Sequence, residues 1–235
     1  MSHGDYESSP GGQPPYETPA GAGTTEPGRP GLPWERRAEL GPGTAVVQTI
    51  SQVLRSPAAT FRGMKVDGGW GEPLGFAVLV GSVSSWIAQA WIMLASSLLS
   101  GRGGPSPEEV AVANAQEIWS ALLAPFLVCA FTVVGAGIVH VLLMFFGGAP
   151  RPYETTLRVF CYGWSVGVLN IVPICGVFIG AIWRLVVEVI GLREAHPVPT
   201  GRAAAAVLVP VLVSCFCLML AFFIAGFAGI AGGVF

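Results

Sequence analysis

The residues whose types and spacing could support chemistry lie inside apolar segments of the chain. Arg184 and Glu188 are four positions apart, so they share one face of a helix. His140 lies in a separate apolar run. Counted along their helices, His140 lies about 9 Å and Glu188 about 6 Å from the ends of their segments, so the two are at similar depth. This spacing predicts a cluster of Arg184, Glu188 and His140.

Two functions fit this cluster. Charged groups at membrane depth are costly, and they mark either a pathway or a structural pair. In the first case the cluster would relay protons or ions, and in the second it would be a polar clamp between two helices. We favour the clamp. The order of Arg184 before Glu188 is the weaker one for a helical pair, which points to a further partner such as His140.

Other chemical motifs are absent from the sequence. It has no phosphate-binding glycine loop, no zinc-ligand spacing and no nucleophile elbow. His3 and His196 lie in polar segments and form no metal motif with His140. The five cysteines all lie in apolar runs, where they fit as small core side chains. We therefore expect no catalytic, cofactor-binding or metal site, and a protein that is not an enzyme.

The elements that position these residues are apolar runs of membrane length. The chain is 52% hydrophobic and only 11% charged, whereas an ordinary soluble domain is about 25% charged. Four runs have no charged residue: 73–101, 118–150, 159–183 and 203–235. Each exceeds the roughly 18 residues that indicate a membrane helix. The sequence therefore predicts an all-α, polytopic integral membrane protein. A net charge of −2 without a basic stripe gives no reason to expect a nucleic acid partner.

The stretch 159–192 is too long for one membrane helix. As a continuous helix it would measure about 51 Å, although a bilayer core needs only about 20 residues. Turn residues interrupt it at Asn170, Pro173 and Gly176. We predict two short helices, 159–172 and 176–192, that form a hairpin, with Asn170 capping the broken helix end. The bundle would then have five transmembrane helices, of which the third and fourth are this hairpin.

The remaining spans and the topology follow from the apolar runs and the basic residues. The other three helices are predicted at 74–100, 119–146 and 203–229. A short helix that Ser106 caps is predicted directly before the helix at 119–146. With five helices the clusters of Lys and Arg all fall on one side of the membrane. This predicts a cytoplasmic amino terminus and a carboxyl terminus outside.

The amino-terminal third divides into two segments by composition. Residues 1–43 are rich in proline and glycine, which predicts a disordered cytoplasmic tail. Residues 44–66 carry apolar residues at helical spacing, broken at Ser56-Pro57. This amphipathic region is expected to lie in the membrane interface, or alternatively to pack on the protein's own cytoplasmic face. The membrane domain would occupy 67–235.

Several short motifs resemble the Yip family, the Ypt/Rab-interacting membrane proteins, over about residues 50–230. They are Ser56-Pro57, Phe61, Pro73-Leu74-Gly75-Phe76, Tyr162, Ile171-Val172-Pro173, Gly176, Ile190-Gly191-Leu192, His196 and Gly201-Arg202-Ala203. The resemblance implies five membrane helices, a cytoplasmic amino terminus and, for a bacterial member, the inner (cell) membrane. Eukaryotic relatives are adaptors that contact small GTPases. Their Asp-Leu-x-Gly-Pro element is absent here, and Gly71-Glu72-Pro73-Leu74 occupies the comparable place.

These observations favour a non-enzymatic membrane scaffold or adaptor of the Yip type. Its partners would be the lipid bilayer and a protein bound at the cytoplasmic face. The alternative is a small transporter or channel-like protein that uses the region of His140, Glu188 and Arg184. A water-filled path that reaches these residues would favour transport, whereas a dry, packed bundle would favour the scaffold.

Overall fold

The computed structural model describes residues 29–99, 106–147, 149–173 and 175–232, and the regular structure in these ranges is helical throughout. The described ranges contain two 3-10 helices, Pro33–Arg36 and Trp164–Ile171, which we call the first and second 3-10 helix. The α-helices are α1 (Arg37–Leu40), α2 (Pro42–Arg55), α3 (Pro57–Gly63), α4 (Gly71–Leu99), α5 (Pro107–Phe145), α6 (Tyr153–Gly163), α7 (Cys175–Ala195) and α8 (Thr200–Gly232).

Four helices of the described ranges are long and apolar enough to cross a membrane: Gly71–Leu98, Ala111–Phe145, Cys175–Ala195 and Thr200–Ala225. The chain is therefore an all-helical integral membrane protein. A fifth helix of this kind, predicted at 159–172, is not among the four. This part of the chain is divided between α6 and the second 3-10 helix, and neither piece alone reaches membrane length.

The helix predicted at 119–146 begins earlier than expected. The Ser106 hydroxyl accepts a hydrogen bond from the Glu109 amide, and the Glu109 carboxylate accepts one from the Ser106 amide, so a complete capping box starts α5. These bonds hold the pKa of Glu109 below its ordinary value. The short helix that Ser106 was expected to cap is thus the first part of α5, which continues through Pro125.

Two glycines of α7 lie close to the helices that precede it in the chain. A Cβ atom at Gly176 would lie 2.0 Å from the Leu169 carbonyl oxygen, and one at Gly191 would lie 2.5 Å from the Val159 side chain. Gly176 of α7 thus approaches the second 3-10 helix, and Gly191 of α7 approaches α6. The absence of a side chain at both glycines permits this close approach.

Asn170 makes contacts outside its own segment, and its role as a cap stays a prediction. Its side-chain amide donates to the Ser84 backbone carbonyl over 3.3 Å. Its backbone carbonyl accepts a hydrogen bond from the Trp91 indole over 3.1 Å. Both partners lie on α4. Asn170 therefore connects the second 3-10 helix to α4 through two hydrogen bonds.

Part of the predicted tail is folded. Leu32, Trp34 and Glu35 are buried. The Trp34 amide donates to the Thr49 hydroxyl over 2.9 Å, and its indole N–H donates to the Glu72 carbonyl over 2.7 Å. The prediction of disorder is therefore wrong for residues 29–43, because long-range contacts compensate for a composition poor in apolar residues. Residues 1–28 lie outside the described part of the chain.

The amphipathic region folds as α2 and α3, and the break between them falls at the predicted Ser56-Pro57. Ala45, Thr49 and Val53 form the buried face of α2, and Phe61 of α3 is fully buried against Gly191 of α7. Both helices therefore pack on the rest of the protein. Contact of their outer face with the membrane interface stays a prediction.

The two ends of the bundle differ in charge. We call the end where α4, α6 and α8 begin and α5 and α7 end the basic end, because it carries Arg36, Arg37, Arg62, Arg151, Arg158, Arg193 and Arg202. At the opposite end, where α5 begins, the structure places Glu108, Glu109 and Glu117.

Candidate functional site

The predicted ion pair is formed. The Arg184 Nε donates to the Glu188 Oε1 over 2.8 Å, and the two side chains are 26% and 6% exposed. The Arg184 guanidinium also lies 4.1 Å from the centre of the Trp164 ring, a cation–π contact that covers the charge. This arrangement satisfies both charges within the helices, which fits the clamp interpretation of the pair.

His140 is not the third member of this cluster. Its Nδ1 lies 2.8 Å from the Thr156 hydroxyl oxygen, which in turn lies 2.8 Å from the His196 Nε2. The two imidazole rings are 5.8 Å apart. The prediction that grouped His140 with Glu188 is therefore wrong. Distance along a helix does not determine the direction of a side chain, and α5 directs the His140 imidazole towards Thr156 of α6.

The residues His140, Thr156 and His196 form a polar layer close to the basic end. His196 is fully buried, and its Nδ1 has no hydrogen-bond partner among the described residues. Burial, together with the nearby His140 and Arg151, lowers the pKa of His196 to about 4. The imidazole is therefore neutral near pH 7. Because Thr156 can donate to one ring and accept from the other, the layer joins α5, α6 and the end of α7 without a buried charge.

A second buried ion pair, which the sequence did not reveal, lies beside this layer. The Arg158 Nη1 donates to the Glu35 Oε1 over 2.7 Å, and both side chains are 0% exposed. The Tyr162 hydroxyl donates to the same oxygen over 3.1 Å. The other carboxylate oxygen accepts the Leu32 amide over 2.7 Å and the Lys65 amide over 3.3 Å. The Glu35 carboxylate thus accepts four hydrogen bonds, and the Arg158 guanidinium compensates its charge.

Arg158 has a second carboxylate partner. Its Nε and Nη2 donate to the Glu154 Oε1 over 3.1 and 3.0 Å, and Nη2 also donates to the Gly69 carbonyl over 2.9 Å. The Gly69 amide returns a hydrogen bond to the Glu154 Oε1 over 2.8 Å. We call Glu35, Glu154, Arg158 and Tyr162 the latch, because they join the amino-terminal segment and the loop before α4 to α6.

Half-exposed ion pairs surround the latch. Arg37 of α1 lies 3.0 Å from Glu72 of α4, and Arg62 of α3 lies 3.0 Å from Glu194 of α7. Water screens pairs of this kind, so each contributes only about 0–1 kcal/mol. Their importance lies in their position, because both pairs connect the segment 29–66 to a helix of the membrane bundle.

Sequence reasoning missed the latch because its partners are 123 positions apart. One signal was present. Arg158 directly precedes the apolar run, where a charge requires a nearby acid. This acid is Glu35, which lies in a segment that composition alone assigned to the disordered tail.

The described ranges contain no group of three or more His, Cys, Asp or Glu side chains placed to hold a metal ion. The arrangement consists instead of ion pairs and hydrogen bonds that satisfy one another. Its chemical capacity is therefore to hold helices and the amino-terminal segment in fixed relative positions.

Comparison with known proteins identifies a family for this chain. The family model described as the Yip1 domain matches residues 51–229, which is most of the chain. No curated protein and no solved structure matches the chain significantly.

Proposed function

Because the chain belongs to the Yip1 domain family, we propose that it is a non-enzymatic membrane scaffold or adaptor that recruits a protein partner through its basic end. The observation that supports this proposal is the buried contact of Glu35 with Arg158. It fixes a folded amino-terminal segment across one end of a membrane bundle, so the charged side chains that this segment exposes, such as Arg36, are held in a constant arrangement. A fixed, charged surface is what an adaptor needs for specific recognition.

The proposal includes a membrane topology. α6 is 11 residues long and the second 3-10 helix 8, so each measures about 16 Å. End to end they match the roughly 30 Å of a hydrocarbon core. We propose that together they form a fifth membrane element, antiparallel to α7. The basic end would then face the cytoplasm of a bacterial cell, with the carboxyl terminus outside the inner membrane.

Cysteine labelling tests this topology. Single cysteines replacing Arg102, Arg151 and Phe235 would be exposed to a membrane-impermeant thiol reagent in a variant without the five native cysteines. We expect the probes at Arg102 and Phe235 to react from outside and the probe at Arg151 to react only after the membrane is opened. Reaction of the Phe235 probe from the cytoplasmic side would contradict five membrane elements.

Photo-crosslinking in the native membrane tests the adaptor role. A photoreactive amino acid replacing Ala38, which is exposed on α1, would sample the basic end. The same amino acid replacing Val112, exposed near the start of α5, would be the matched control. We expect mass spectrometry to identify a discrete protein adduct from the Ala38 position only.

The latch supplies the second control. In the Glu35→Gln variant the surface around Ala38 should lose its fixed arrangement, and the adduct should decrease although membrane insertion continues. Equal protein adducts from Ala38 and Val112, or none from either, would contradict an adaptor that acts through the basic end.

A further inference from the structure

An apolar groove runs between α2, α4 and the second 3-10 helix. Its volume is about 480 Å³, within the range of about 300–1,000 Å³ that is typical of sites for small organic molecules. Its walls include Val46 and Ile50 of α2, Leu79 and Val83 of α4, and Ile171 of the 3-10 helix.

The polar groups in the walls are already engaged. The Ser84 hydroxyl donates to the Val80 carbonyl over 2.7 Å, and the Trp34 indole N–H donates to the Glu72 carbonyl over 2.7 Å. A sugar, a nucleotide or a peptide backbone would lose hydrogen bonds to water on entering such a groove and would not regain them. A hydrocarbon has no hydrogen bonds to lose, so the walls select for it.

The groove opens towards the bilayer. Leu79 and Val83 belong to the membrane-spanning part of α4, and they are 47% and 42% exposed. On the opposite side of the opening, Val47 of α2 is 66% exposed. The mouth is therefore continuous with the lipid-facing surface of α4, where the molecules available to fill an apolar recess are acyl chains.

The outer face of α2 suits a lipid headgroup. Gln48 and Gln52 are exposed on α2, on the side turned away from the groove residues Val46 and Ile50. A helix with this distribution lies with its polar side towards the headgroups. A phospholipid could therefore keep its headgroup beside α2 and place a chain underneath. We propose that the groove is a binding site for one acyl chain of a membrane phospholipid.

The bound chain completes the packing of α2 on α4. It connects the amino-terminal segment to the bilayer as well as to the bundle, so that lipid stabilises the position of α2. This inference does not depend on the adaptor role, since it concerns the walls of the groove alone.

A photoreactive lipid tests the site. The full-length protein would be placed in phosphatidylcholine bicelles that contain a trace of phosphatidylcholine with a diazirine midway along one acyl chain. After irradiation, mass spectrometry would map the adducts. We expect them on both walls, at Val46 and Ile50 of α2 as well as at Leu79 and Val83 of α4.

Two variants make the test specific. Val47→Trp fills the mouth from an exposed position, so that folding should be unaffected, and it should reduce the adducts on α4 about tenfold, the effect of losing about two buried methylenes. Val134→Trp on α5 is the matched control, because Val134 is 59% exposed and lies outside the groove. It should leave the adducts unchanged.

Two results would overturn the proposal. Adducts spread over the exposed residues of α4, α5 and α8, and insensitive to Val47→Trp, would indicate ordinary lipid around the protein. Adducts absent from α2 and replaced by crosslinks to a second copy or to another protein helix would show that the groove holds a protein segment.

Discussion

Replacing Glu35 by Gln should release the amino-terminal segment from the bundle. The change keeps the shape of the side chain but removes a charge that is 0% exposed, and it leaves Arg158 equally buried. Breaking a buried ion pair on one side costs about 3–5 kcal/mol. We expect about 3 kcal/mol, the lower end, because Glu154 still compensates the Arg158 charge.

Limited digestion with trypsin measures this release, because Arg36 and Arg37 lie in the latched segment. When opening and closing are faster than cleavage, the cleavage rate follows the population of the open form. A cost of about 3 kcal/mol therefore corresponds to cleavage about 150-fold faster. Synthetic peptides of residues 29–41, with and without Glu35→Gln, supply the intrinsic cleavage rates for normalisation.

The matched control is Glu72→Gln, which removes the partner of Arg37. Glu72 is 37% exposed, so its pair is worth at most about 1 kcal/mol, or about fivefold in rate. If cleavage of Glu35→Gln were no faster than that of Glu72→Gln, the energetic importance given to the latch would be refuted.

Three further predictions concern other contacts. Glu188→Gln and Arg184→Leu should each destabilise by about 1–3 kcal/mol, and an apolar double variant should regain much of that; simple additivity in thermal unfolding in bicelles would contradict a clamp. His196 has its pKa lowered from 6.5 to about 4, so the fold keeps its full stability above pH 6.5 and loses it as the pH falls towards 4. The loss between pH 7 and pH 5 should be about 2 kcal/mol, and a His196→Phe variant should not show it. Deletion of residues 1–43 should lower thermal stability more than deletion of 1–28, because it also removes Leu32, Trp34 and Glu35; equal effects would contradict the packing of this segment.

Features encoded by local sequence could be predicted. Apolar runs gave the membrane helices, Ser56-Pro57 gave the break between α2 and α3, and the Ser106 signature gave a helix start. Each depends on residues a few positions apart. The four-residue spacing of Arg184 and Glu188 likewise predicted their contact.

Features that depend on distant residues could not be predicted. Distance along a helix gave the depth of His140 but not the direction of its side chain, and Thr156 is its actual partner. Composition assigned Glu35 to a disordered tail because the burial of this acid depends on Arg158, far away in the chain. The latch therefore depends on tertiary structure and cannot be recognised from any local sequence pattern.

Hydrogen exchange of α2 in the wild-type protein and in an Arg158→Gln variant tests the central claim most directly. Arg158 lies on α6, and its hydrogen bonds go to Glu35, Glu154 and Gly69 rather than to α2. If the latch holds the amino-terminal segment on the bundle, the α2 amides are protected in the wild-type protein, and the substitution lowers their protection by about 150-fold, while α8 is unchanged. Protection of α2 that is the same in both proteins would show that this helix is held in place without the latch, and would contradict the account.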